Sequence, residues 1–168
     1  MPGLALQRYW DEYGVRVFQA VEMNTNLGHL LVYGINARVL ERFDLSTRLH
    51  DGRRILAELE ALGAVAAPAH PFRESVFGSI MERDLHEIAG VQIIEMHNGQ
   101  NTPEHNARSA QLVAQHGLRG LGGSDAHFTL PGWFLTCATA FEDTVTSEAE
   151  LVEALRDGTY RPVVLPQG

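Results

Sequence analysis

Short apolar runs alternate along the chain with stretches in which apolar residues recur every three or four positions. The apolar runs are rich in Val, Ile and Leu, which favours β-strands, whereas the wider spacing is typical of amphipathic helices. Strands are predicted at residues 15–23, 29–35, 64–70, 91–96, 118–121, 136–141 and 160–165. Helices are predicted at residues 4–13, 52–62, 103–116 and 147–158, with a shorter one near 37–43 and a mixture of loop and helix at 74–89.

Two of the predicted helices carry clear end signals. Asp51 is placed to accept hydrogen bonds from the first turn of the helix that follows it, and Gly63 comes after the last turn of that helix. Ser147 and Glu150 form the Ser-x-x-Glu pattern of a capping box, and Gly158 ends that helix. These caps support the helical interpretation of both segments.

The order of the elements predicts the fold class. Strands alternate with helices through most of the chain, which indicates an α/β protein of one domain with a mostly parallel sheet or barrel. In such folds, ligands bind at the carboxyl ends of the strands. Polar residues at those ends are therefore the first candidates for a functional site.

Four of the predicted strands end in residues that can bind a metal ion or a substrate. These residues are Glu22, His70, His97 with Asn98, and Asp125 with His127. If the strands run parallel, all of them face one rim of the sheet. Because alternate residues of an extended segment point the same way, Asp125 and His127 are expected to converge on one point. His29 opens its strand, so it reaches that rim only if its strand runs antiparallel to the previous one.

Each of these residues also has an explanation that involves no metal. Glu22 could be a surface carboxylate on an edge strand, His29 could be bonded to a carbonyl group, and His70 could simply begin a turn. Asp125 could cap the next turn, with His127 in solvent. Their joint occurrence at strand ends favours a metal site, because divalent ions take carboxylate oxygen and imidazole nitrogen as ligands.

Composition and charge narrow the function further. The 168 residues carry a net charge of −8, which disfavours extended binding to the phosphate backbone of nucleic acids. Cys137 is the only cysteine, so an intrachain disulfide is excluded. No apolar run approaches the roughly 18 residues of a membrane span. A cytoplasmic protein that acts on a small molecule is therefore expected.

Four parts of the sequence resemble motifs of the PHP superfamily, which is named for polymerase and histidinol phosphatase. They are residues 21–25 with 28–31, residues 67–73, residues 94–99 and residues 123–127. The last of these, Gly-Ser-Asp-Ala-His, is the most specific match. The similarity covers about residues 15–130.

This resemblance implies a distorted, TIM-like β/α barrel that hydrolyses phosphoesters with two or three divalent ions, which could be Mn, Zn or Fe. By resemblance, Glu22 bridges two of the ions, and His29 and His70 complete one of those two sites. Asp125 binds the other bridged ion, and His127 binds the third.

The resemblance also implies catalytic and substrate-binding roles. Asp125, His127 and Arg73 are the predicted catalytic residues, and Arg73 is expected to clamp the phosphate through its guanidinium fork. His97 and Asn98 are predicted to lie on the substrate side. The ions are expected to activate a water for in-line attack on phosphorus, with a small phosphomonoester or a nucleotide as the substrate.

Two motifs of the superfamily have no counterpart in residues 1–14, namely the first, His-x-His, and the second, Glu-His or Asp-His. The expected fold is therefore an N-terminally truncated barrel that is open or is completed by a partner. A homo-oligomer is one way to cover the sheet edges that would be exposed. Two other functions stay open at this point: a catalytically inactive remnant that acts as a metal-binding or regulatory domain, and another amidohydrolase-like metal hydrolase.

Overall fold

A computed structural model of the chain describes residues 2–73, 90–128 and 136–166. Within these ranges the strands are β1 (Ala20–Thr25), β2 (Gly28–Tyr33), β3 (Val65–Pro68), β4 (Ile93–Asn98), β5 (Arg119–Gly123), β6 (Cys137–Phe141) and β7 (Tyr160–Val164). The helices are α1 (Pro2–Tyr13), α2 (Ala37–Arg42), α3 (Gly52–Glu58), α4 (Pro103–His116) and α5 (Glu148–Asp157), and a 3₁₀ turn follows α3 at Glu60–Leu62. The loop and helix predicted at 74–89 lie outside the described residues. No helix in the described part of the chain combines the length and apolar character needed to cross a membrane.

The strands form three small sheets, so the predicted barrel is wrong. One sheet is antiparallel in the order β1-β2-β3, a second is the parallel pair β4-β5, and the third is the antiparallel pair β6-β7. Among the described residues these strands do not close into a TIM-like barrel. The prediction of a mostly parallel sheet is also wrong, because β4 and β5 are the only strands that pair in parallel within the described ranges.

The connections between strands explain why the prediction failed. β1 and β2 are separated only by Asn26 and Leu27, and a link this short can join antiparallel strands but not parallel ones. α5 lies between β6 and β7, yet Phe141 pairs with Tyr160. The connection therefore leaves and returns at the same end of the sheet. A strand–helix–strand order does not by itself fix the direction of the second strand.

The first strand is shorter than predicted. The sequence predicts a strand over residues 15–23, but β1 begins at Ala20. Val15 and Val17 are 54% and 38% exposed. The backbone N–H of Gln19 donates to the Glu148 carboxylate instead of joining a sheet ladder. β-branched residues extend the chain here, but no strand in the described part of the molecule pairs with it.

The predicted helix boundaries are largely confirmed, because the caps form. The Asp51 side chain accepts from the backbone N–H groups of Arg53 and Arg54. The Ser147 side chain accepts from the N–H of Glu150, and Gly158 ends α5 in the left-handed conformation. These interactions lie within a few residues of one another in sequence, so local chemistry is sufficient to predict them.

One apolar core connects the three sheets. It is formed by buried residues of β3, β4, β5, β7 and α5: Val65, Ala67, Ile93, Leu121, Leu151, Val152, Leu155 and Tyr160. β5 and β6 are joined through Thr139, whose hydroxyl accepts from the Gly122 N–H at 3.0 Å and donates to the Gly122 carbonyl at 2.9 Å. A Cβ on Gly122 would lie 2.2 Å from the Ala138 carbonyl oxygen, so this approach requires glycine. The contact fixes the end of β5, from which the loop to Asp125 starts.

Replacing Thr139 tests this junction. Thr139→Val preserves the shape of the side chain but removes both hydrogen bonds to Gly122, which leaves two partly buried backbone groups unpaired. We expect the free energy of unfolding to fall by about 1–3 kcal/mol, measured by urea denaturation. Thr139→Ser keeps the hydroxyl and should lose less, so equal losses in the two variants would show that the hydroxyl contributes nothing.

Candidate metal centre

The hairpin of β1 and β2 brings Glu22 and His29 together. In its antiparallel register Asn24 pairs with His29 and Glu22 pairs with Leu31, so Glu22 and His29 lie diagonally on the same face. Their side chains meet, with His29 Nδ1 2.5 Å from Glu22 Oε1. The antiparallel pairing is the condition under which the sequence predicts that His29 reaches the site. Glu22 itself lies in the middle of β1 rather than near its end, because β1 runs to Thr25.

His70 reaches the same place from the turn after β3. The Ala69 N–H donates to the His29 carbonyl at 3.0 Å, which continues the pairing of β3 with β2. His70 then adopts a left-handed backbone with φ of 30°, and its side chain is 5% exposed. Its Nε2 lies 3.4 Å from Glu22 Oε1 and 3.3 Å from His29 Nδ1. The two imidazole rings meet edge to face, with centroids 5.1 Å apart.

Glu22, His29 and His70 form a candidate metal centre. One ligand atom from each residue lies within 4.8 Å of the other two. Within the described ranges this is the one group of His, Cys, Asp and Glu side chains with that geometry. One carboxylate oxygen and two imidazole nitrogens form a donor set that suits Zn²⁺, Mn²⁺ or Fe²⁺ and leaves coordination positions open. The chemistry of these residues therefore fits a divalent ion.

The electrostatics of the group favour an ionised carboxylate. The hydrogen bond with His29, followed by the one with His70, holds the pKa of the Glu22 carboxyl well below its ordinary value, although burial acts in the opposite direction. Glu22 is therefore negatively charged at neutral pH, as a metal ligand must be.

Asp125 lies on the same pocket as this group. The chain leaves β5 at Gly123 and takes a left-handed conformation at Asp125, where φ is 50°. Two of the candidate ligands, Glu22 and His70, line a pocket of about 190 Å³ together with Asp125. The other residues that line it are Leu31, Tyr33, Glu95, Asn98, Leu121, Gly122 and Gly123. Of the residues predicted to face one rim, Glu22, His70, Asn98 and Asp125 line this pocket, whereas His97 and His127 do not.

Arg73 and Asn98 hold the Asp125 carboxylate. The Arg73 guanidinium and the Asn98 amide both donate to Asp125 Oδ2, the latter at 3.1 Å. Arg73 is placed by a tight turn in which its N–H donates to the His70 carbonyl at 2.9 Å. Its side chain is 28% exposed. The positively charged guanidinium of Arg73 thus lies next to the Asp125 carboxylate, which lines the pocket.

The other two predicted histidines lie apart from this group. The His127 side chain is 69% exposed, although its Nδ1 lies 2.9 Å from the Asp125 carbonyl and 3.5 Å from Asp125 Oδ1. His97 is partly buried, and its burial lowers the pKa of the imidazole. Its Nδ1 makes no hydrogen bond within the described part of the chain. Neither ring lines the pocket that holds Glu22 and Asp125.

Glu95 is the pocket residue that sequence reasoning missed. It is 4% exposed and lies in the apolar strand β4. Its Oε2 accepts from the His70 backbone N–H at 2.8 Å and from the Asn98 amide at 2.9 Å. Burial raises the pKa of the Glu95 carboxyl, against the opposing effect of those hydrogen bonds. The available signal was a single carboxylate within an otherwise apolar run, because a buried charge requires partners.

Metal binding by the three-residue group can be measured directly. We expect the purified protein to bind Mn²⁺ or Zn²⁺ in a calorimetric titration, and His29→Ala or His70→Ala to weaken binding at least about 10-fold, because each removes one of the three donors. His116→Ala, at the end of α4, is the matched control and should bind as the wild type does. Equal affinities in all four proteins would rule out this centre.

One comparison with known proteins supports part of the motif resemblance. None of the curated proteins matches the chain. Residues 103–160 match the family model described as PHP-associated. This match begins at α4 and includes the Gly-Ser-Asp-Ala-His segment at 123–127, whereas the other resembling motifs precede it. Residues 103–160 are therefore similar to a PHP-associated domain.

Proposed function

We propose that the protein is a divalent-metal-dependent phosphoesterase that hydrolyses small phosphomonoesters or nucleotides. The observation that carries this proposal is that Glu22 and His70, two members of the candidate metal centre, line the same pocket as Asp125. The relation to the PHP superfamily supports the same reaction class. When bound, a divalent ion would polarise a phosphoryl oxygen and lower the pKa of a coordinated water toward neutrality.

The charges in the pocket explain why such an enzyme needs a cation. Glu22 and Asp125 both line the pocket, and Glu22 is ionised at neutral pH. A phosphate ester is itself an anion, so these carboxylates repel it. A divalent ion held by Glu22, His29 and His70 offsets that repulsion. Hydrolysis should therefore depend strictly on the metal.

Arg73 is the residue best placed to bind the phosphate. Its guanidinium has five N–H donors in a planar fork, and only part of that fork is needed for the contact with Asp125. Its partial exposure lets a substrate reach the remaining donors. In this proposal Asp125 orients Arg73, and the exposed ring of His127 is available to exchange protons between the Asp125 region and solvent.

A metal-binding domain without turnover is the second candidate. The observation in its favour is that Asp125 Oδ2 already accepts from both Arg73 and Asn98 instead of contacting Glu22, His29 or His70. Such a domain would bind one ion at the three-residue group and hydrolyse nothing. Metal content measured beside a phosphatase assay separates the two candidates.

The proposal is tested with p-nitrophenyl phosphate, a generic aryl phosphate. We expect hydrolysis in the presence of Mn²⁺, and its loss after treatment with EDTA. His70→Ala and Asp125→Ala should each lower kcat/KM at least about 100-fold, which corresponds to about 2.7 kcal/mol. His116→Ala is the control. Hydrolysis that survives EDTA, or that is unchanged in both variants, would refute the proposed function.

A second experiment tests the role of Arg73. Arg73→Lys keeps the positive charge but replaces the planar fork with a point charge, so phosphate should bind less well. We expect KM for the aryl phosphate to rise about 10-fold while kcat changes little, as for a lost uniform binding interaction. Arg161→Lys, on the exposed side of β7, is the control. A fall in kcat at unchanged KM would contradict this role.

A further inference from the structure

Glu95 connects the two halves of the candidate site. One of its oxygens, Oε2, accepts from both the His70 backbone N–H and the Asn98 side-chain amide. The same Asn98 nitrogen donates to Asp125 Oδ2. A continuous chain of hydrogen bonds therefore runs from the backbone of His70 through Glu95 and Asn98 to the Asp125 carboxylate.

The backbone of β4 and β5 is shaped to allow this connection. In a regular strand, residues three apart point to opposite faces, so Glu95 and Asn98 could not meet. Between Glu95 and His97 the register with β5 shifts, and this bulge turns Glu95 and Asn98 toward the same side. On β5, a Cβ at Gly123 would lie 2.8 Å from Glu95 Oε1, so glycine leaves room for the carboxylate.

The chain of hydrogen bonds ends at the two residues with unfavourable backbone conformations. His70 and Asp125 have φ values of 30° and 50°, in the left-handed region that non-glycine residues rarely occupy. Conformations of this kind persist only where the surroundings hold them in place. Glu95 bonds the backbone N–H of His70 directly and reaches the Asp125 side chain through Asn98.

We propose that Glu95 is a positioning residue, which fixes the backbone of His70 and, through Asn98, the carboxylate of Asp125, so that both side chains are presented to the pocket. The hydrogen bonds that Glu95 accepts come from the backbone of His70 and from Asn98, and not from an imidazole nitrogen of the candidate metal centre. An effect of Glu95 on catalysis rests on the proposed function, whereas its effect on the positions of His70 and Asp125 does not.

Two conservative variants of Glu95 distinguish a role for the position of its acceptor oxygen from a role for its charge. Glu95→Gln removes the charge but can keep an acceptor oxygen at the position of Oε2. Glu95→Asp keeps the charge but shortens the side chain by one methylene, so its oxygens fall short of His70 and Asn98. A positioning role predicts that Gln preserves the site and that Asp damages it, whereas a role for the charge predicts the opposite order.

The first readout needs neither metal nor turnover. In ¹⁵N-labelled protein, the His70 amide should exchange slowly with solvent in the wild type and in Glu95→Gln, and faster in Glu95→Asp. The second readout is a Mn²⁺ titration, in which Glu95→Asp should bind about 10- to 100-fold more weakly and Glu95→Gln should stay close to the wild type. Glu148→Asp is the matched control, because the Glu148 carboxylate also accepts a backbone N–H, from Gln19, but lies outside the site.

The exchange rates of the His70 amide in the two variants show whether Glu95 is a positioning residue. Slow exchange in Glu95→Gln together with fast exchange in Glu95→Asp supports it. Two variants that both exchange like the wild type, two that are equally impaired, or the reverse order would overturn it. A wild-type protein that binds no Mn²⁺ would refute the proposed function, while the His70 amide would still decide the role of Glu95.

Discussion

Three carboxylates share one small pocket, and the structure around it is arranged to stabilise them. Burying a charge is unfavourable unless donors replace the lost water. Glu22 is held by the imidazoles of His29 and His70, and Glu95 is held by a backbone N–H and an amide. Asp125 is held by Arg73 and Asn98. The negative charge that remains also makes the pocket favourable for a divalent cation.

The turn after β3 and the loop after β5 each contain a site residue with an unfavourable backbone conformation. Left-handed φ values at His70 and Asp125 cost on the order of 1–3 kcal/mol each. Glycines cannot replace these residues, because their side chains line the pocket. The hydrogen bonds through Glu95 and Asn98 end at these same two residues, which explains why so many polar contacts converge on a small volume.

Local features of the fold were predictable from the sequence, and non-local ones were not. The caps at Asp51 and Ser147 form between residues close in sequence, so pattern alone identifies them. Strand direction depends on which segments pair across the molecule, and the order of elements does not encode it. The parallel barrel was therefore predicted wrongly, although the predicted link at 24–28 is already too short to join two parallel strands.

In the candidate site, too, some residues were predictable from the local sequence and others depend on non-local pairing. Glu22, His70 and Asp125 were recognisable because each interrupts or ends an apolar run. His29 reaches the site only through the β1–β2 register, which the sequence leaves open. The pairing of Glu95 with Asn98 depends on a bulge, and a bulge inserts a residue that alternation does not anticipate.

The elements that carry the site differ in how firmly they hold it. Glu22 and His29 project from paired strands, and His70 is fixed by its contacts with β2 and β4. Ligands held in this way lose little conformational freedom when an ion binds, which favours affinity. Asp125 lies on a loop after β5, and its carboxylate is held by the side chains of Arg73 and Asn98, so its position is easier to change. Metal affinity should therefore depend on the first three residues, and, under the proposed function, the position of the phosphate should depend on Asp125 and Arg73. An ion can then be bound firmly while the Asp125 side of the pocket stays adjustable.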